Sequence, residues 1–400
     1  MAGKEMMVAL LAGAALIWSG VQGAAETVVK VGVITTYSGT EAQTGEEMDK
    51  GLKLYVKEHE KDLPPGVKLE LVYRDDTGPN PDVAKRLAQE LITREHVQML
   101  TGVVWTPNAA AIAPLTVEAK VPFVIMNAAG VSLTRLSPYI VRVSYTLPQL
   151  VTPLAKWAAQ QGWKKGYTIV PDFSPGHEAE AAFIKAFTEA GGTIVGSASF
   201  PVVSPDFAPY FARIKDVKPD VLYVFNIAGK QSTAIMKTIT DLQMREAGIN
   251  PVSGVDLTTD EELPNMGDEP IGIVTASNYS AAATRPANLQ FMAAWRRDYG
   301  ADSLAPNFFA VQGWDGMDAI FAVIKATKGE VTGDAAMKVL AGWKSDTSPR
   351  GPIMIDPETR DIVENVYIRR VEKVEGKLAN VEFFTFPMVK DPWKEQNPLK

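Results

Sequence analysis

Two kinds of apolar run alternate along this chain. Val28–Ile34 (VVKVGVI) has the continuous β-branched hydrophobicity of a strand buried on both faces. Further strands are predicted at Val67–Tyr73, Val97–Val104 and Val121–Met126, with a short extended stretch at Ile140–Val143. Between them lie segments of helical spacing near Glu46–Glu60, at Pro81–Glu95 (PDVAKRLAQELITRE) and from Thr106 onward. This alternation is what a parallel sheet needs, because parallel neighbours are joined only through a crossover. The pattern then repeats. Helices at Leu150–Gln161, Glu178–Ala190, Phe207–Asp216 and Gln231–Met244 alternate with strands at Gly166–Val170, Thr193–Ser199, Val221–Phe225 and Ile271–Ala276. Helices Pro286–Tyr299, Phe308–Thr327 and Asp334–Gly342 follow, and strands Pro352–Ile355, Asn365–Val374 and Val381–Phe386 end the series.

Four hundred residues exceed one compact core. The expected fold is α/β, with two doubly wound three-layer lobes and three chain crossings between them. Residues 26–145 with 279–346 form the first lobe, and 147–276 with 349–390 the second. The crossings near 144–146, 277–278 and 347–348 form the hinge. Residues 1–25 read as a secretory signal peptide. Lys4 precedes the apolar run Met6–Trp18, and the small residues Ser19, Gly20, Gly23, Ala24 and Ala25 follow. That run is short for a membrane span, and cleavage after Gly23 or Ala25 is expected. An exported chain without a cysteine for lipid attachment points to a Gram-negative periplasm.

Composition removes several function classes. The chain has no cysteine, which excludes disulfides, thiolate metal sites and cysteine nucleophiles. Its three histidines, His59, His96 and His177, form no ligand-spaced pair, so no metal is expected. A net charge of −7 argues against a nucleic-acid partner. No GxGxxG, GxxxxGK[ST] or GxSxG occurs, so no cofactor and no enzyme activity are expected. Asp75-Asp76 reads as a structural loop pair, and Thr259–Glu262 (TDEE) as a solvated helix start.

Ligands of open α/β sheets bind beyond the carboxyl ends of the strands. One strand tip there, at TGVVWTPNAAAIAP, opens a helix with Thr106 as the expected N-cap and Pro107 as its first residue. No acid in the first turn answers its free N–H groups, whereas Glu178 and Glu180 do so for the helix after Ser174-Pro175. A ligand carboxylate, bonded by the Thr106 hydroxyl and backbone N–H groups, fills that vacancy; a water-capped helix with Trp105 packed in the core is the other reading. Asp256, in a second-lobe loop, is either an acceptor for a ligand ammonium or hydroxyl, or a turn residue.

At this point the chain resembles the periplasmic solute-binding proteins of ABC importers, in the leucine/isoleucine/valine-binding branch. The resemblance rests on VGVITTYSGTEAQTGEEMDKG, YRDDTGPNPDVAKRLAQELI, TGVVWTPNAAAIAPLTVEAKVPFVI, AAGVSLTRLSPYIVRVS, PDFSPGHEAEAAFIKAFTEAGG and VKPDVLYVFNIAG, in that order and spacing, with a matching tail from Ser348 to Leu378. It implies two lobes that close on a small solute. It places a hydroxyl residue at Thr106 on the ligand carboxylate, further contacts at Asn127, Ala128 and Ala129, and Tyr37 and Thr44 beside them. Phe173, the loop with Asn226 and Ala228, and Asp256 close from the second lobe. Three positions depart from amino-acid binders: Ala128-Ala129 replace an ammonium-binding hydroxyl, Thr44 replaces a tyrosine, and Trp105 is bulkier than usual. These tilt the ligand toward an aromatic or otherwise apolar carboxylate, while Asp256 tilts it toward a hydrophobic amino acid. The implied partners are that solute and an inner-membrane ABC permease, with the receptor a monomer. The alternative is a ligand-sensing regulator of the amide type on the same fold.

Overall fold

The structure, a computed structural model, describes residues 26–39, 41–203 and 206–398. The expected signal peptide lies outside the described residues. The first lobe is built on β1 (Thr27–Thr35), β2 (Val67–Asp75), β3 (Met99–Gly102), β4 (Phe123–Ile125) and β5 (Ile140–Arg142). They form an all-parallel sheet in the order β2-β1-β3-β4-β5. The crossovers carry α1 (Ala42–His59), α2 (Pro81–Thr93) and α3 (Thr106–Ala119). The chain then enters the second lobe through α4 (Leu147–Gln160), opened by a reciprocal capping box between Thr146 and Gln149.

The second sheet takes β6 (Lys165–Pro171), β7 (Thr193–Phe200), β8 (Val221–Val224), β9 (Asn250–Ser253) and β10 (Val274–Ser277), all parallel. Helices α5 (Ser174–Glu189), α6 (Ala208–Val217) and α7 (Lys230–Asp241) connect them. Next come α8 (Pro286–Tyr299), α9 (Phe308–Thr327) and α10 (Gly333–Leu340), and α9 packs back on α1 and β4 of the first lobe. Gly51 of α1 permits that approach: a Cβ there would sit 1.8 Å from the Ala310 carbonyl oxygen. The chain returns to the second sheet as β11 (Lys344–Ser345), β12 (Ile353–Ile355), β13 (Ile362–Val374) and β14 (Lys377–Val389), which pair antiparallel at its edge. A short α11 (Pro392–Gln396) follows.

All predicted elements recur with ends shifted by a few residues. The sequence pattern misses β9, β11 and α11, which hold four, two and five residues and are too short to show a period. One reading is overturned: Thr259–Glu262 is not a solvated helix start. Its four residues form turns that are all less than a tenth exposed. The carboxylates of Asp260 and Glu262 are answered by distant residues. Asn380 donates to Asp260 at 3.1 Å, Arg369 lies 4.0 Å from Asp260, and Thr233 donates to Glu262 at 3.2 Å. Burial pushes the Glu261 carboxyl up to about 8.

One buried side chain connects the three crossings. Arg350 donates to the carbonyls of Val143 and Ser144 and bonds Asp315 through Nε at 2.7 Å. It also pairs with Glu364, which accepts from Asn278 at 3.1 Å. Ser348 donates to the same Asp315 at 3.0 Å.

Candidate functional site

Between the lobes, at the carboxyl ends of both sheets, lies a cavity of about 80 Å3. An enclosed site that holds benzene measures roughly 150 Å3, so this cavity is smaller than one that holds a single ring. A larger groove outside, about 670 Å3 between α4, α5 and α11, is lined by the second lobe and the tail alone.

The cavity's first-lobe wall begins at the end of β3. Gly102 and Val103 both take positive φ, 96° and 61°. For β-branched Val103 that conformation is strained, and it swings Val104 and Trp105 into the cleft. The Trp105 ring is pinned from behind. Its Nε1 donates to Thr36 Oγ1 at 2.9 Å, Thr36 donates to Asp76 at 2.7 Å, and Asn108 donates to the other Asp76 oxygen at 2.8 Å. The acid pair therefore acts structurally, as expected, and burial raises the Asp76 carboxyl.

Helix α3 opens with no acid in its first turn, but its cap differs from expectation. Trp105 is the N-cap, Thr106 is the first helical residue and Pro107 the second. With Pro107 lacking an N–H, the Thr106 and Asn108 N–H groups remain at the first turn. Thr106 Oγ1 accepts from Gly130 N at 3.1 Å, which leaves its proton to donate toward the cavity. Gly130 has no room for a side chain, since a Cβ would meet Thr106 Cγ2 at 2.4 Å. The contrast drawn with α5 is corrected: α5 begins at Ser174, so no acid occupies its first turn. Glu178 lies one turn further in. It accepts from Ser174 Oγ at 3.2 Å and, across the cleft, from Val131 N at 3.2 Å. That contact joins the lobes, and burial raises the Glu178 carboxyl.

The second lobe supplies Phe173, Pro175, Phe225, Asn226, Ile227, Ala228 and Asp256. The Phe173 and Phe225 rings lie nearly parallel, 7° apart with centroids at 6.4 Å. Asp256 is held through its backbone carbonyl, which accepts from Ser232 Oγ at 2.8 Å. Among the described residues no side chain donates to its carboxyl. Burial, only partly opposed by Arg369, pushes that carboxyl up to about 7. Nearby Tyr223 Oη and Asn226 Oδ1 are buried with no hydrogen-bond partner among the described residues. The cavity thus has a donor-rich first-lobe end, aromatic walls, and an acceptor-bearing second-lobe end.

Nine anticipated residues line this one cavity: Thr44, Trp105, Thr106, Asn127, Ala129, Phe173, Asn226, Ala228 and Asp256. Two do not. Tyr37 is not among the lining residues and packs edge-on against Tyr73 at 6.3 Å. Ala128 is fully buried in the first-lobe core, because its N–H bonds the Val103 carbonyl and turns its side chain inward. Tyr145, Leu147 and Phe309 line the cavity and were not anticipated. They stand where crossings and a returning helix reach the cleft, where no strand-tip rule points.

The family model described as "Periplasmic binding protein" matches residues 28–377. "Leu/Ile/Val-binding protein homolog 6" of Brucella melitensis is 38% identical over 366 residues, covering 91% of this chain and 93% of that protein. An ABC-transporter solute-binding protein of Rhodopseudomonas palustris BisB5, solved with 3,4-dihydroxybenzoic acid, is 45% identical. It superposes with a TM-score of 0.87 over 92% of this chain and all of its own. Another from R. palustris HaA2, solved with p-hydroxybenzoic acid, is 41% identical with a TM-score of 0.88, at 92% and 100% coverage. The chain belongs to the periplasmic binding protein family and has its two-lobed type I fold.

Proposed function

We propose that this member of the periplasmic binding proteins is the exported receptor of an ABC importer for hydroxylated aromatic carboxylates. Residues 1–25 direct export, and the mature receptor works in the periplasm as a monomer. The ligand carboxylate sits at the start of α3, on the Thr106 hydroxyl and the free N–H groups, where the helix dipole favours an anion. Its ring lies against Trp105, Phe173 and Phe225, and a ring hydroxyl donates to Asp256.

The observation that carries this reading is the acid-free α3 start facing aromatic walls contributed by both lobes. The two R. palustris neighbours, each solved with a hydroxylated benzoic acid, support it. The lobes are 26–145 with 279–346 and 147–276 with 349–390, and the crossings bend. Ligand docks on the first lobe, and the second adds contacts that exist only when closed. That difference in affinity shifts the population toward the closed form, which the permease reads.

A second reading has one observation in its favour. The Asp256 carboxyl faces the cavity and matches the ammonium of a hydrophobic amino acid. Thermal unfolding of the ligand-free mature chain separates the two. Benzoate, hydroxybenzoates, phenylacetate and hydroxycinnamates form one set; leucine, isoleucine, valine and phenylalanine the other. A ligand at about 100 times its Kd adds roughly 2.7 kcal/mol. Stabilisation by the aromatic acids alone is expected, and stabilisation by the amino acids alone refutes it.

A further inference from the structure

The turn at 127–131 meets the ligand cavity through Asn127 and Ala129, yet what holds the turn comes from far along the chain. Its N–H groups are used toward the cleft: Gly130 N donates to Thr106, and Val131 N to Glu178. Its carbonyls face the other way. Arg142 Nη1 donates to Ala128 O at 3.1 Å and to Gly130 O at 2.7 Å. Arg142 is fully buried, and a buried guanidinium requires a partner. Asp361, in the link between β12 and β13, provides it, accepting from Nε at 3.0 Å and Nη2 at 2.6 Å.

The second Asp361 oxygen takes Lys394 Nζ, from α11, four residues from the end of the described chain. Lys394 is 2% exposed and also donates to Thr134 Oγ1, just past the turn. Helix α11 is fastened in place by Arg135, whose guanidinium lies 4.8 Å from the Trp393 ring and which bonds the Asn397 carbonyl. The run Lys394–Asp361–Arg142 is therefore a continuous buried ionic chain from the tail to the backbone of the ligand turn. Burial drives Lys394 down to about 8, as a cation squeezed beside Arg142 should be.

We infer that Lys394 is a positioning residue for ligand binding, acting through Asp361 and Arg142 to set the 127–131 turn. The tail is then part of the receptor's binding machinery. Without Lys394 the second Asp361 oxygen loses its buried partner, the carboxylate is free to turn on the Arg142 guanidinium, and the turn carbonyls lose a fixed donor. Asn127, Ala129 and the Gly130 N–H on Thr106 shift with them. The inference rests on the proposed ligand class for its affinity arm only.

The test is Lys394→Met in the full mature chain, with 4-hydroxybenzoate as the probe. Calorimetry reads Kd, and hydrogen exchange with mass spectrometry reads peptides across 123–135 and elsewhere. The expected result is a Kd raised about three- to thirtyfold, the range of coupling through packed networks, with exchange quickened selectively at 128–131. Unchanged exchange at 128–131, or exchange quickened evenly along the chain, overturns the inference. If wild type fails to bind 4-hydroxybenzoate, the ligand reading falls, and exchange alone still decides the positioning role. Should Lys394→Met not fold, Arg135→Ala loosens α11 without stranding a buried charge. It is expected to show the same local signature in weaker form, and its absence counts against the proposal equally.

Discussion

Asp256→Asn separates the cost of a buried acid from its use. Burial moves this carboxyl from an ordinary 3.8 to about 7 in the folded, ligand-free protein. At about 1.4 kcal/mol per pH unit, that is a cost of about 4 kcal/mol once the group is ionised. The direction follows from proton counting. Below about pH 4 both folded and unfolded chains hold the proton, and Asp256 contributes nothing pH-dependent. From pH 4 to 7 the unfolded chain has released its proton while the folded chain keeps it, so stability falls as pH rises. Above pH 7 the full cost is present. Asparagine has no such titration. Wild type and Asp256→Asn should therefore diverge with pH, the variant gaining relative to wild type between pH 4.5 and 8. For a chain of this length, 4 kcal/mol corresponds to about 5 °C in Tm. Differential scanning calorimetry of both ligand-free proteins across that range measures it, and any constant offset from the amide cancels. A Tm difference independent of pH refutes the assignment of a desolvated, unpaired carboxyl at this position.

Three further outcomes are expected. Thr106→Ala removes a hydroxyl bond to a charged ligand group, worth about 1.5–3 kcal/mol, so the Kd for a benzoate-type acid rises by more than tenfold in titration calorimetry; an unchanged Kd moves the carboxylate elsewhere. Glu178→Gln weakens the acceptor that receives Val131 N across the cleft. Stopped-flow fluorescence should show a faster off-rate with the on-rate nearly unchanged, and a slower on-rate alone contradicts a closed-state role. Gly51→Ala forces α1 and α9 apart around the Ala310 carbonyl. Overpacking of this kind costs about 1–3 kcal/mol, read as a Tm lowered by a few degrees, and a Tm at the wild-type value denies the close contact.

What was legible in the sequence follows the range of the interactions involved. Strand and helix alternation is local, so the two lobes and the strand-tip residues Trp105, Thr106, Asn127, Phe173 and Asn226 emerged from pattern and resemblance. The acid-free start of α3 was legible because it depends on four consecutive residues. The misreadings share one cause. Thr259–Glu262 reads as solvated because the partners of Asp260 and Glu262, Asn380, Arg369 and Thr233, lie between 29 and 120 residues away. Tyr145 and Phe309 reach the cavity through the hinge and through a helix that returns from the chain's last third. Ala128 was placed in the site since a tripeptide gives no sign of which of its side chains turns inward.

The passage of the chain back and forth through the Arg350 crossings also dictates when the molecule can first become stable. The first sheet is complete at Arg142, but α9, which covers it, begins only at Phe308. The second sheet is open at β10 until β13 arrives at Ile362. Arg350, which pins all three passages, emerges after seven-eighths of the chain. Neither core can be sealed during synthesis, and the dominance of long-range pairings makes spontaneous folding slow. A polypeptide built this way stays unfolded through most of its production, which keeps it threadable, and it commits to structure only once nearly all of it has been delivered.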